Sequence, residues 1–413
     1  MNFETKAIHA GFESDPTTGA TTFPIYQTAS YEYESAEEHS DVFFGRKFGH
    51  QYSRITNPTV AAYENRITAL TDGKGTLCTA SGMAAITTAL LSLTSAGDEI
   101  IAAKSLFGGT YYLFKHVFEN FDITVNYVDT TDLASYEAAI TDKTRAIFLE
   151  TIGNPKMDVP DIAKIAALAS QRHIPLVVDG TTTTPYLFDA KAHGVSILVL
   201  STTKYLCGSG TTIGGSITDL GTFDWKQTKS PRIKEVGEKF GDMAFLARAR
   251  RQVQSNTGST MSPMNAFIAS LGLDTLTLRM DKHCANALAL ATYFQAHPNV
   301  KAVHYPGLST NPDHDIAKRQ FKNRYGGLLT IQVGSKEAAY RVINETKLAR
   351  ILVNIGDTKT LVVHPKSTIY RDFTEQQADE AGVFDDLIRI SVGLEHIDDL
   401  KADFDQALKK AII

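Results

Sequence analysis

From residue 75 onward, short apolar runs alternate with stretches in which apolar positions recur at helical spacing. The runs fall at Thr76–Thr79, Glu99–Ala103, Ile123–Val128, Ala146–Leu149, Leu176–Val178, Ile197–Leu200 and Ile213–Ile217. Helical periods lie between them at Gly82–Leu93, Thr110–Glu119, Leu133–Ile140 and Ile162–Gln171. Strands of near-continuous Val, Ile and Leu separated by helices predict an α/β fold with a mainly parallel central sheet covered on both faces. Ligands of such sheets bind beyond the carboxyl ends of the strands, so the residues there carry the candidate chemistry.

The flanking regions read differently. Residues 1–60 have no clear period and are rich in Thr, Ser, Tyr and Gly. A segment this long without a core of its own predicts either an arm laid on another body or a plain irregular terminus. Residues 219–260 turn polar and charged, and Pro263 then opens one long helical pattern that runs to about His297. Beyond it, strands at Gly327–Val333, Thr360–Val363 and Leu387–Val392 alternate with helices at Lys336–Glu345 and Leu400–Lys410. The expected division is an arm (1–60), a large α/β domain (61–258) and a smaller α/β C-terminal domain (259–413).

Composition narrows the function classes. The chain has 413 residues, 43% hydrophobic and 21% charged, with a formal net charge of −5. Those are ordinary globular values. A mildly acidic chain without a long basic run is a poor nucleic-acid binder. The three cysteines, Cys78, Cys207 and Cys284, are scattered, with no CxxC, and the histidines form no HExxH. Neither a disulfide framework nor a metal site is expected. No secretory leader and no apolar run near the ~20 residues needed to span a bilayer is visible, which predicts a soluble, cytoplasmic protein.

Three strand ends stand out. Thr76-Leu-Cys-Thr-Ala-Ser81-Gly82-Met83 is a strand running through a small-residue turn into a helix, and free N–H groups at such a start suit an anion such as phosphate. Pro175-Leu-Val-Val-Asp179 places a carboxylate at the end of a buried strand. Ile197-Leu-Val-Leu-Ser201-Thr202-Thr203-Lys204 places a lysine directly after another. Lysine is seldom buried unless paired or chemically used, and a desolvated amine becomes a Schiff-base nucleophile. Taken singly these are an N-cap, a second N-cap and a snorkelling lysine. Together they match what pyridoxal phosphate requires: a phosphate cradle, a lysine and an acid for the pyridine nitrogen. The glycine-rich Gly208-Ser-Gly210-Thr-Thr-Ile-Gly214-Gly215 leads into a strand, where a dinucleotide fingerprint needs a helix.

These motifs, with Tyr52-Ser-Arg54-Ile-Thr-Asn57-Pro58-Thr59, Glu150-Thr-Ile-Gly-Asn154-Pro155 and Ile388-Arg389-Ile-Ser-Val-Gly-Leu394-Glu395, carry a resemblance over nearly the whole chain. The chain resembles the Cys/Met-metabolism family of pyridoxal-phosphate enzymes, most closely its O-acetylhomoserine sulfhydrylase branch. The resemblance implies fold-type I, the aspartate-aminotransferase-like architecture. It implies that Lys204 binds the cofactor covalently and shuttles protons, that Asp179 pairs with the ring nitrogen, that Asn154 bonds the ring hydroxyl and that Phe107 stacks on the ring. Ser81, Gly82, Met83, Ser201 and Thr203 are implied at the phosphate, joined by Tyr52 and Arg54 from a neighbouring subunit. Arg389 and Asn354 are implied at the substrate carboxylate. The implied assembly is a tetramer of two catalytic dimers.

The implied reaction is γ-replacement, in which O-acetyl-L-homoserine and sulfide give L-homocysteine and acetate. Gly109 stands where methionine γ-lyases carry a cysteine, which argues against that lyase. Cystathionine γ-synthase or γ-lyase activity stays open within the family, and a non-catalytic binding protein or a dinucleotide oxidoreductase outside it. Two departures from the family pattern lie near the site: Gly180 where relatives commonly carry Asn, and Ser209 where many carry His.

Overall fold

The computed structural model describes residues 1–411. Seven strands form the first sheet: β1 (Gly75–Thr79), β2 (Glu99–Ala103), β3 (Thr124–Val128), β4 (Thr144–Glu150), β5 (Leu176–Asp179), β6 (Ile197–Leu200) and β7 (Gly215–Asp219). Their order is β1-β7-β6-β5-β4-β2-β3. All neighbouring pairs are parallel except those made by β7, which runs antiparallel to both β1 and β6. Apart from the edge strand β3, the strands are almost wholly buried, as expected where helices cover both faces.

A second sheet collects β8 (Ala302–His304), β9 (Leu328–Gln332), β10 (Arg350–Ile351), β11 (Leu361–Val363) and β12 (Leu387–Ser391) in the order β10-β11-β12-β9-β8. It is antiparallel apart from β10 on β11. The helices Lys336–Glu345 and Ile397–Ala411 pack against each other beside it. Arg389 sits in the middle of β12, the central strand, and is among the largest fully buried side chains.

Two elements differ from the expected pattern. The apolar run at Ile213–Ile217 becomes a strand only from Gly215, and Ile213 is 59% exposed. The single long helix expected after Pro263 is two, Pro263–Leu273 and Leu276–Gln295. The break has a local cause. The Arg279 guanidinium takes the carbonyl of Gly272 at 2.5 Å, a group that a continuous helix would give to the amide four residues on. The same side chain holds the carbonyls of Tyr205 and Leu206, so the break ties this region to the segment following Lys204.

The N-terminal arm is held at several points, among them Thr59 on Pro24 and Tyr26 and Arg66 on the Ala7 carbonyl, and one residue joins it to the helix that follows. Asn57 caps the helix Pro58–Thr71, its Oδ1 accepting from the N–H groups of Thr59 and Val60. Its Nδ2 lies within hydrogen-bonding distance of the Tyr26 carbonyl (2.9 Å), Ser53 Oγ (2.9 Å) and the Tyr31 hydroxyl (3.1 Å). One buried amide therefore starts a helix and pins the chain that precedes it. Asn57→Ala loses the cap and leaves the buried N–H donors of Thr59 and Val60 unmet, at a cost of about 2 kcal/mol or more. The expected outcome is a lower denaturation midpoint together with faster proteolytic cleavage between residues 20 and 56. Unchanged cleavage there would show that the other contacts hold the arm without it.

Candidate active site

A cavity of about 280 Å³ opens beyond the carboxyl ends of β4, β5 and β6, where the second sheet meets the first. Of the residues expected at the site, all but Tyr52 and Arg54 line it. Residues the sequence reading did not single out also line it: Glu150, Thr110, Thr181, Ile213 and Val353 among them.

The wall nearest β1 is a helix start. Ser81 caps the helix Gly82–Leu93, its Oγ accepting from the Ala84 N–H at 3.1 Å. The N–H groups of Gly82 and Met83 belong to the first turn and have no partner within the helix. Space here is tight. A Cβ on Gly82 would lie 2.6 Å from Ser201 Cβ, and one on Gly215 would lie 2.2 Å from the Ser81 carbonyl oxygen. The glycine run before β7 thus lets β7 pass against the cradle. The Thr203 hydroxyl is held from the same side, since it lies between the Gly214 carbonyl and the Gly214 N–H.

The floor carries the acids. Asp179 ends β5, and its Oδ1 accepts from the Thr181 N–H at 2.9 Å. Burial raises its carboxyl above the ordinary value, and the Thr181 bonds pull the other way. The departure at Gly180 has a packing account. A Cβ there would meet Leu198 Cδ1 at 2.8 Å, so apolar side chains fill the space a larger residue would need.

Lys204 follows β6, and its Nζ donates to Asn354 Oδ1 at 2.5 Å. Burial, reinforced by the nearby Arg389 charge, lowers its amine from 10.5 to about 8. Arg389 is 2% exposed. Its Nη1 donates to Asn154 Oδ1 and its Nη2 to the Asn354 carbonyl, each at 3.3 Å, and its Nε has no partner. Among the described residues no carboxylate pairs with it. A buried guanidinium that meets only long, neutral contacts is poised for an anion from outside the chain.

Asn154 precedes a cis proline and is buried. Its carbonyl accepts from the Tyr370 hydroxyl, which also donates to the Leu106 carbonyl at 3.3 Å. That phenol braces the turn carrying Phe107. Tyr52 and Arg54 are elsewhere: Tyr52 is 43% exposed, the Arg54 guanidinium stacks on its ring at 5.5 Å, and Arg54 donates to the Ser255 carbonyl.

The cavity fits pyridoxal phosphate on its own chemistry: orphan N–H donors at one end, a buried acid at the floor, and a lysine already inclined to be a free amine. The model of the Cys/Met metabolism PLP-dependent enzymes matches residues 4–409. The chain belongs to that family. As in that family, the cofactor is pyridoxal phosphate, and the chain is an enzyme. It is 40% identical over 425 residues to an O-acetyl-L-homoserine sulfhydrylase of Leptospira meyeri, covering 98% of this chain and 96% of the relative. It is 41% identical to a homocysteine synthase of Schizosaccharomyces pombe, covering 99% of each. A Campylobacter jejuni protein provisionally assigned as an O-acetylhomoserine (thiol)-lyase, and solved with a pyridoxyl-lysine phosphate in its chain, superposes with a TM-score of 0.92. That match is 33% identical and covers 99% of this chain and 100% of the other. The expected fold-type I architecture agrees with this likeness. Among the described residues, no cluster of His, Cys, Asp and Glu suits a metal, and no helix is long and apolar enough to cross a membrane.

The lowered amine gives a direct test on the cofactor-free protein. Acylation of Lys204, followed by mass spectrometry of its peptide, should rise with pH through a midpoint near 8. Arg389→Leu should move that midpoint upward, because losing the neighbouring cation makes protonation easier. A wild-type midpoint at the ordinary 10.5 would contradict the geometry.

Proposed function

We propose that this enzyme catalyses γ-replacement, converting O-acetyl-L-homoserine and sulfide to L-homocysteine and acetate. The observation that carries the reading is the pairing of a lysine whose amine gives up its proton near pH 8 with an uncompensated, buried arginine across one cavity. An amino-acid substrate supplies what each lacks: a carboxylate for Arg389 and an α carbon whose proton Lys204 can move. The names of the relatives point to the same substrate pair.

When bound, the cofactor serves as the electron sink for charge developing at the substrate's α and β carbons. The residues divide the remaining work. Lys204 anchors the cofactor and, once released, takes and returns protons at Nζ. Asp179 holds the proton on the ring nitrogen, Asn154 bonds the ring hydroxyl, and Phe107 covers one ring face. The N–H groups of Gly82 and Met83, with the hydroxyls of Ser81, Ser201 and Thr203, hold the phosphate. Arg389 clamps the substrate carboxylate, and Asn354 orients both it and Lys204 through bonds already present. The Cγ–O bond breaks with its electron pair leaving on acetate, and the Cγ–S bond forms from sulfide.

Tyr52 and Arg54 belong to this scheme as contributions to a neighbour's phosphate. Their exposure on the arm, away from the cavity of their own chain, supports that placement. The assembly in this reading is a tetramer of two catalytic dimers in the cytoplasm, each chain dividing into an arm, a cofactor domain (61–258) and a C-terminal domain (259–413).

The holoenzyme given O-acetyl- or O-succinyl-L-homoserine, with sulfide or cysteine, should make homocysteine fastest from the acetyl ester and sulfide. Cystathionine as the preferred product, or release of a keto acid without sulfur addition, would overturn the reading. Lys204→Ala should lose about 10²-fold or more in turnover, the scale of a general base. Arg389→Lys, which replaces a planar fork with a point charge, should lower kcat/KM by about tenfold or more, mainly through KM.

A further inference from the structure

The ends of β4 and β5 bring two carboxyls together. Glu150 and Asp179 are register partners across that parallel ladder, and both line the cavity. Glu150 is the deeper, 6% exposed. Its Oε1 accepts from the Phe107 N–H at 2.7 Å, immediately before the helix Gly108–Leu113. Phe107 is thereby held from two directions: its amide by Glu150, and the carbonyl of the preceding Leu106 by the Tyr370 phenol.

Among the described residues no cation pairs with Glu150: Lys204 and Arg389 line the same cavity, but Lys204 is bonded to Asn354 and Arg389 to Asn154 and the Asn354 carbonyl. Around it stand Asp179, Asp158 and the Tyr370 phenol. Asp158 is occupied with the Ser105 hydroxyl at 2.7 Å and the Lys156 amine at 3.4 Å. Among the described residues neither Glu150 nor Asp179 has a cation within ion-pair distance. Two adjacent buried carboxylates are penalised by desolvation and by each other, so such a pair keeps a proton. Burial and the Asp179 charge together push the Glu150 carboxyl well above its ordinary range. The Phe107 N–H bond pulls the Glu150 carboxyl back toward ionisation, but Asp179 has the better claim to the charge: it is the less buried of the two, the Thr181 side chain and N–H both favour its ionised form, and the ring nitrogen of the cofactor would add another partner.

We propose that Glu150 is a positioning residue: a buried neutral acid that fixes the backbone of Phe107, and with it the ring laid over the cofactor, while leaving the negative charge of the pair to Asp179. The inference rests on the cofactor placement proposed above and is independent of the choice of substrate.

The test uses the protein without substrate. Glu150→Gln keeps an uncharged acceptor of the same reach, whereas Glu150→Asp keeps the acid but falls one methylene short of the Phe107 N–H. Two readouts are taken on each: the affinity of the cofactor-stripped protein for pyridoxal 5′-phosphate, and the pH midpoint of the bound cofactor's absorption change. Glu150→Gln should match the wild type in both. Glu150→Asp should weaken cofactor affinity by about five- to tenfold, the scale of one buried hydrogen bond. A midpoint shifted in Glu150→Gln by about a unit or more would mean that an ionised neighbour had been removed, and would overturn the proposal. Wild-type affinity in Glu150→Asp would overturn the positioning role. A wild-type protein that takes up no pyridoxal phosphate would sink the cofactor placement as well, whereas normal uptake with a failing Glu150→Gln sinks this inference alone.

Discussion

Uncompensated charge in a dry place is the constraint on which this structure turns. Among the described residues, Arg389 is buried without a carboxylate and Glu150 without a cation, while Asp179 and Lys204, half-buried on the cavity wall, have no ion-pair partner. Ionised groups in low dielectric cost several kcal/mol each unless partnered, and neutralise when they can. The chain could have paired Arg389 with one of the acids. It separates them across a cavity instead, which makes sense when a ligand brings the missing charges: a cationic ring nitrogen for the acid, a phosphate for the helix start and a carboxylate for the arginine.

That separation depends on two sheets. The parallel sheet delivers Glu150, Asp179 and Lys204 to one rim because β4, β5 and β6 are adjacent, in register and end together. The antiparallel sheet delivers Arg389 from the middle of β12, where strands on both sides hold it. Asn354 bridges the two, bonding Lys204 with its side chain and Arg389 with its carbonyl. The Arg279 contacts at the helix break fix the segment after Lys204 from the opposite side.

Much of this was legible in the sequence, for a physical reason. Asp179 and Lys204 each follow an unbroken apolar strand, so a charge at that point is conspicuous without any structure. Glu150 also follows such a strand, yet its importance depends on which strand lies beside β4 and in what register, and sequence order does not say that. The glycines at 214 and 215 failed as a dinucleotide fingerprint, and only their closeness to Thr203 and Ser81 explains them. The helix break at Asp274–Thr275 was hidden because Arg279 turns back onto the Gly272 carbonyl only where the distant carbonyls of Tyr205 and Leu206 also hold it. The arm looked unstructured because the groups that hold it, Asn57, Thr59 and Arg66, sit at or beyond its end and reach back to residues 7, 24, 26, 31 and 53.

The account stands most directly on the identity of the lysine that carries the cofactor. Borohydride reduction of the holoenzyme, followed by proteolysis and mass spectrometry, locates the pyridoxyl group to one residue. The structure predicts that residue to be Lys204. A pyridoxyl group on any other lysine, or none at all in protein saturated with pyridoxal phosphate, would contradict it.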